Sequence, residues 1–139
     1  MLPIFILIGI AIVLQVLGFI WYGPIFGKKY RELICTVTPK EMTPEEKKAM
    51  QKRMIPVYII NFVLSFVTIF VYLIFVQVLG APMMVALLVW IGFVMPIEAG
   101  VVMWSDKTRK QAWQIFGITA GYQLLAFVVT ALLTLWWLM

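Results

Sequence analysis

The chain reads as an all-α, polytopic membrane protein, with four transmembrane helices and a cytoplasmic interfacial helix between the first and second. Three observations carry that expectation. Hydrophobic residues fill 64% of the 139 positions and charged residues only 12%, with a mean hydropathy of +1.04, far from the soluble range. Four apolar stretches, approximately 2–22, 54–79, 82–104 and 112–138, each reach the roughly 20 residues that a helix needs to cross about 30 Å of hydrocarbon. Lipid offers no hydrogen-bond partner to a backbone, so each stretch must be helical, and no series of short alternating strands argues for a barrel. The expected organisation is one domain over 1–139.

The first stretch lacks the basic flank and the small-residue cleavage site of a signal peptide, so it reads as a retained helix. After it, in P-I-F-G-K-K-Y-R-E-L-I, Phe26, Tyr30, Leu33 and Ile34 share one helical face while Lys28, Lys29, Arg31 and Glu32 point elsewhere. That pattern suits a helix lying on the membrane. Two capping signatures follow, Thr38-Pro39-Lys40-Glu41 and Thr43-Pro44-Glu45-Glu46, each with Thr at N-cap, Pro at the first helical position and Glu at N3. The second should start a helix that feeds the second span through Pro56, with a kink there. The third span carries Gly92, Pro96 and Gly100 at four-residue intervals and the fourth carries Gly117 and Gly121, small surfaces suited to close helix packing.

Charge sets the expected orientation. All eleven basic residues lie in two segments, 23–53 and 105–111, and the second-to-third connection at Gly80-Ala81-Pro82 has none. The positive-inside rule then puts both segments in the cytoplasm of a plasma (inner) membrane and both termini outside. Trp21, Tyr22, Trp104 and Trp113 fall at the cytoplasmic ends, and Trp136 and Trp137 at the outer end, as interfacial anchors. The +5 charge therefore reports topology and attraction to anionic lipid, and no nucleic-acid partner is expected. The single cysteine, Cys35, and the absence of histidine leave no disulfide, no cysteine-based metal cluster and no common general base. Neither a cofactor nor an enzymatic activity is expected.

Polar residues inside the spans mark the candidate site. Counted at about 1.5 Å per residue from the cytoplasmic ends, Gln15, Asn61, Glu98 and Thr119 reach one depth, roughly 10–12 Å in. Two stripes run outward from that layer. One is Asn61, Ser65, Thr68 and Tyr72 on the second span, and the other is Thr119, Gln123, Thr130 and Thr134 on the fourth. Interhelical hydrogen bonding in a packed bundle would account for the hydroxyl and amide groups taken singly. Glu98 differs in kind, because an ionised carboxylate inside a bilayer costs several kcal/mol unless paired or hydrated. No cation shares its depth, so it reads either as a proton- or ion-binding group or as a protonated Glu bonded to Gln15, Asn61 or a carbonyl freed by Pro96.

The stretch W-Y-G-P-I-F-G-K-K-Y at 21–30, the Thr-Pro-Glu-Glu element and A-G-Y-Q-L-L-A at 120–126 together resemble the small four-helix membrane proteins of domain of unknown function 1761. The resemblance covers nearly the whole chain and implies a shared fold without an assigned activity. Members commonly have Ser where Gly23 stands and His where Gln123 stands, so a titrating imidazole at that place is not implied here. A lipid-modifying or lipid-binding membrane enzyme has poor motif support, with no His, no Cys pair and only Glu32 and Asp106 as acids outside the capping elements and the bilayer, and two further functional classes follow from the residues. One is a small proton- or cation-linked transporter or channel, with a homodimer supplying enough surface, built on Glu98, Gln15, Asn61, Thr119, Gln123 and Ser65. In outline it resembles the small multidrug-resistance proteins, whose membrane glutamate lies on the first helix instead. The other is a non-catalytic membrane subunit or assembly factor that binds a partner protein or lipid through the basic loop.

Overall fold

The structure, a computed structural model, describes residues 4–34 and 43–139. Cys35 and the first capping signature, 38–41, lie outside the described residues. Four helical segments are long and apolar enough to cross a membrane, Ile4–Ile25, Pro44–Leu79, Pro82–Met103 and Arg109–Leu138, and no strand occurs among the described residues.

Helix α1 (Ile4–Ile20) widens into a π turn over Trp21–Ile25. The amide of Phe26 reaches the Trp21 carbonyl five residues back, at 2.9 Å. Pro24 lies inside that turn and has no N–H for the ordinary four-residue bond, which favours the wider spacing. Helix α2 (Gly27–Ile34) then folds back against the end of α1. Its first residue must be Gly, because a Cβ there would collide with the Tyr22 carbonyl. The face expected to rest on lipid is largely covered by the chain itself. Leu33 is buried, the Phe26 ring sits 4.6 Å from Trp21, and the Tyr30 ring sits 5.0 Å from Tyr22, while Ile34 stays exposed.

Helix α3 (Pro44–Leu79) begins where the second Thr-Pro-Glu-Glu signature places it. Thr43 accepts from the Glu46 amide and the Glu46 carboxylate accepts from the Thr43 amide at 2.8 Å. Its 36 residues span about 54 Å, far more than a hydrocarbon core needs, and residues 44–53 are almost wholly exposed ahead of the apolar part. Pro56 lies within the helix, which continues through it. The helix ends at Gly80, whose φ of 69° is the left-handed conformation that favours glycine. Pro82 opens α4 (Pro82–Val89), and Tyr72 donates its hydroxyl to the Pro82 carbonyl at 2.7 Å, closing this tight hairpin.

The third span is not the continuous helix expected over 82–104. A second π turn, Trp90–Val94, separates α4 from α5 (Met95–Met103). Pro96 is the physical reason, since its missing N–H frees the carbonyl of Gly92. Both π turns thus open on Trp-x-Gly and lie at or just before a proline. Helix α6 (Arg109–Leu138) starts three residues earlier than expected, because Thr108 and Gln111 form a second capping box.

Helix α1 packs along α3, and α6 packs along α4 and α5. Ala11, Ile69, Val85, Ala86 and Ala131, each at most 1% exposed, bring α1, α3, α4 and α6 together. Small side chains at such contacts let backbones approach, and most large apolar side chains face outward, as lipid permits. Of the glycines expected at helix contacts only Gly121 has one, 3.4 Å from the Trp21 ring for an added Cβ. Gly92, Gly100 and Gly117 face open space within one copy of the chain, because Trp90 rather than a glycine sets the approach of the third span to α6.

Candidate functional site

The two polar stripes face each other. Asn61, Ser65 and Thr68 of α3 stand opposite Gln123 and Thr130 of α6 across a cleft of about 230 Å³, with Leu14 of α1 also lining it. A second cleft of about 350 Å³ adjoins it, lined by Gln15, Gly18, Tyr22, Tyr58, Asn61 and Tyr122 among others. Asn61 and Tyr122 line both, so they mark the junction. The lining is rich in uncharged donors and acceptors: carboxamides, hydroxyls and phenols on otherwise apolar walls.

Hydrogen bonds fix this geometry. The amide of Gln15 donates to the Ser65 hydroxyl at 3.4 Å, joining α1 to α3, and Ser65 donates in turn to the Asn61 carbonyl at 2.9 Å. Tyr122 donates across to the Leu14 carbonyl at 3.0 Å. Its hydroxyl lies where Gly18 has no side chain, and a Cβ at Gly18 would stand 3.0 Å from it. The indole N–H of Trp21 donates to Ile118 at 3.0 Å and that of Trp90 to Ala120 at 2.9 Å. Each π turn therefore aims a tryptophan at nearly the same level of α6. Trp21, expected as an interfacial anchor, is half-buried here and packs against Phe26.

The expected layer is gathered in part. Gln15, Asn61, Ser65 and Gln123 line the joined clefts, but Glu98 lines neither. The contact from Trp90 to Ala120 sets the register of the antiparallel pair, and Glu98 lies eight residues beyond Trp90, about 12 Å nearer the α5–α6 connection. Counting depth from each helix end missed this because the ends do not share a plane. Glu98 makes no hydrogen bond or ion pair with a described residue, so it bonds to neither Gln15 nor Asn61. It is half-buried yet not sealed, since no enclosed side-chain oxygen lacks a partner among the described residues.

Several stripe residues have structural partners instead. Thr119 donates to Ile115 at 3.0 Å, Thr130 to Ala126 at 2.8 Å and Thr134 to Thr130 at 2.8 Å, all within α6, and Thr134 is 1% exposed. Tyr22, Tyr58 and Tyr122 were not among the expected site residues. The Tyr22 and Tyr122 rings pack at a tilt of 59°, 5.3 Å apart, and both line the second cleft. One signal was available for Tyr122, its place beside Gln123 on a stripe otherwise read only for amides and hydroxyls.

The fold and the cleft define a class: a four-span helical membrane protein whose second and fourth spans hold a polar cleft between them. Over residues 4–135 the chain matches the family described as Protein of unknown function (DUF1761), and it belongs to that family. No curated protein and no solved structure shows significant similarity to it.

If the indole bonds hold α6 in place, Trp21→Phe and Trp90→Phe each lower resistance to unfolding in detergent by about 0.5–2 kcal/mol. Trp136→Phe, at a 75% exposed position, leaves it unchanged. Titration with sodium dodecyl sulfate followed by circular dichroism measures all three.

Proposed function

We propose that the protein is a small membrane transporter or channel in which the joined clefts between α1, α3 and α6 form the route of a small polar solute or of protons. The carrying observation is that the α3 and α6 stripes face each other across open space instead of bonding directly to one another. A stripe used only for packing would close that gap. Gln15, Ser65, Asn61 and Gln123 are the solute-facing groups in this reading, and Glu98, which lines neither cleft, is the proton- or cation-linked group. Thr119 keeps a supporting place on α6. The protein carries out no catalysis and needs no cofactor in this account.

The reading includes an orientation. Lys28, Lys29, Arg31, Lys47, Lys48, Lys52 and Arg53 precede the apolar part of α3, Lys107 lies between α5 and α6, and Arg109 and Lys110 open α6, which supports a cytoplasmic face for both segments and an outward face for the termini in a plasma membrane. One observation favours the second reading, a subunit or assembly factor: residues 44–53 of α3 project with every side chain exposed, a rigid arm able to meet another protein. A homodimer meets the same surface requirement.

Two experiments check these proposals. Liposomes loaded with a pH-sensitive dye and given a potassium diffusion potential take up protons severalfold faster with the protein than without it. Ser65→Leu and Gln123→Leu, which fill the cleft, remove that flux, and Glu98→Gln lowers it. Proton flux equal to that of empty liposomes, together with no faster entry of small polar solutes such as glycerol or urea, sinks the transport reading in favour of the subunit reading. For orientation, in a Cys35→Ser background, Asp106→Cys reacts with an impermeant maleimide only in inverted vesicles, and Met139→Cys only in intact cells. The reverse pattern overturns the assignment.

A further inference from the structure

A third cleft, separate from the polar route, lies between α5 and α6 where the two helices meet at their connection. Its volume is about 480 Å³, within the range of about 300–1,000 Å³ common for ligand pockets. Ala99 and Ala112 leave room between the helices, and Val102 and Phe116 complete an apolar wall. Val102 and Ala112 are buried, at 7% and 8% exposure, so the wall is part of the fold and not a transient surface. Lys107 in the connection and Arg109 at the start of α6 line the same cleft.

Neither cation forms an ion pair with a described residue, although Asp106 is adjacent in sequence. Lys107 is half-buried and Arg109 exposed, and both reach the rim of the cleft. Thr108 between them caps α6, whose first amides add partial positive charge at the same place. Apolar walls ending in two cations that have no ion pair among the described residues, at the end of two membrane spans, are complementary to a chain of hydrocarbon ending in a phosphate.

We infer that the α5–α6 cleft is a binding site for one anionic phospholipid of the leaflet that meets this end of the bundle. Its phosphate sits on Lys107 and Arg109, and part of an acyl chain lies along Ala99, Ala112 and Phe116. Trp113, also in the lining and 56% exposed, stands at headgroup depth. The site differs from diffuse attraction to a basic surface because it needs both the cations and the space between the alanines.

Native mass spectrometry of the full chain, titrated with phosphatidylglycerol or phosphatidylcholine, tests this. One phosphatidylglycerol binds at least about tenfold more tightly than phosphatidylcholine, as two surface cations warrant. Lys107→Gln with Arg109→Gln removes that preference. Lys47→Gln with Lys48→Gln, which deletes the same charge from the exposed arm of α3, keeps it. Ala112→Leu fills the cleft without touching a charge and weakens phosphatidylglycerol binding to the level of the Lys107/Arg109 double variant, with circular dichroism confirming the fold. An equal loss in the Lys47/Lys48 variant would show diffuse charge attraction and overturn the site. So would unchanged binding in Ala112→Leu, or displacement of the lipid by inorganic phosphate at matching concentration, since either would leave a free-anion site with no role for the cleft.

Discussion

Four aromatic side chains donate hydrogen bonds to backbone carbonyls, and the arrangement of the bundle follows from them: Trp21 to Ile118, Trp90 to Ala120, Tyr122 to Leu14 and Tyr72 to Pro82. In hydrocarbon, burying an apolar side chain against another helix gains little, because lipid is equally apolar. A carbonyl inside a helix still has a second lone pair after its own helical bond, so an indole or phenol from a neighbour can use it without unwinding the acceptor. These bonds tie α1 and the third span to α6 and close the hairpin between α3 and α4. None of the four joins α3 directly to α6.

That omission gives the molecule its clefts. Held to α1 and α4 but not to each other, α3 and α6 turn their polar stripes into the space between them. The two π turns belong to the same design. Each relieves a proline that cannot donate its own helical bond, and each begins with a tryptophan that bonds to α6. Breaks of this kind in membrane helices persist where neighbouring side chains satisfy the backbone around them.

Much of this was legible in the sequence, for physical reasons. Apolar length fixes spans, so the four stretches match the four helices to within a few residues, apart from the long start of α3 announced by its capping box. The period of 3.6 fixes faces, so Asn61, Ser65 and Thr68 do share a cleft, with Gln123 and Thr130 opposite. Register between helices is a different matter. It depends on which side chain of one helix reaches which carbonyl of another, and only the contact from Trp90 to Ala120 reveals that Glu98 lies well below Gln123. The glycines misled in the same way. Periodicity shows that Gly92 and Gly100 share a face of the third span, yet not that this face looks away from α6. Trp21 shows the limit of composition rules, since its place at the end of an apolar run suits an interfacial anchor and a packing residue equally.

The central claim is that the space between α3 and α6 is a water-accessible cleft and not a lipid-filled seam. A water-soluble thiosulfonate reacts only with thiolates that meet water, which makes single cysteines the most direct probe. In a Cys35→Ser background, Ser65→Cys, Thr68→Cys and Gln123→Cys should react within about tenfold of Asp106→Cys in the exposed connection, as hydrated thiols do. Val67→Cys and Phe70→Cys, on the outward face of α3, should stay unmodified. Cleft positions as silent as Val67 and Phe70 would contradict the account, and leave α3 and α6 as parts of a dry bundle.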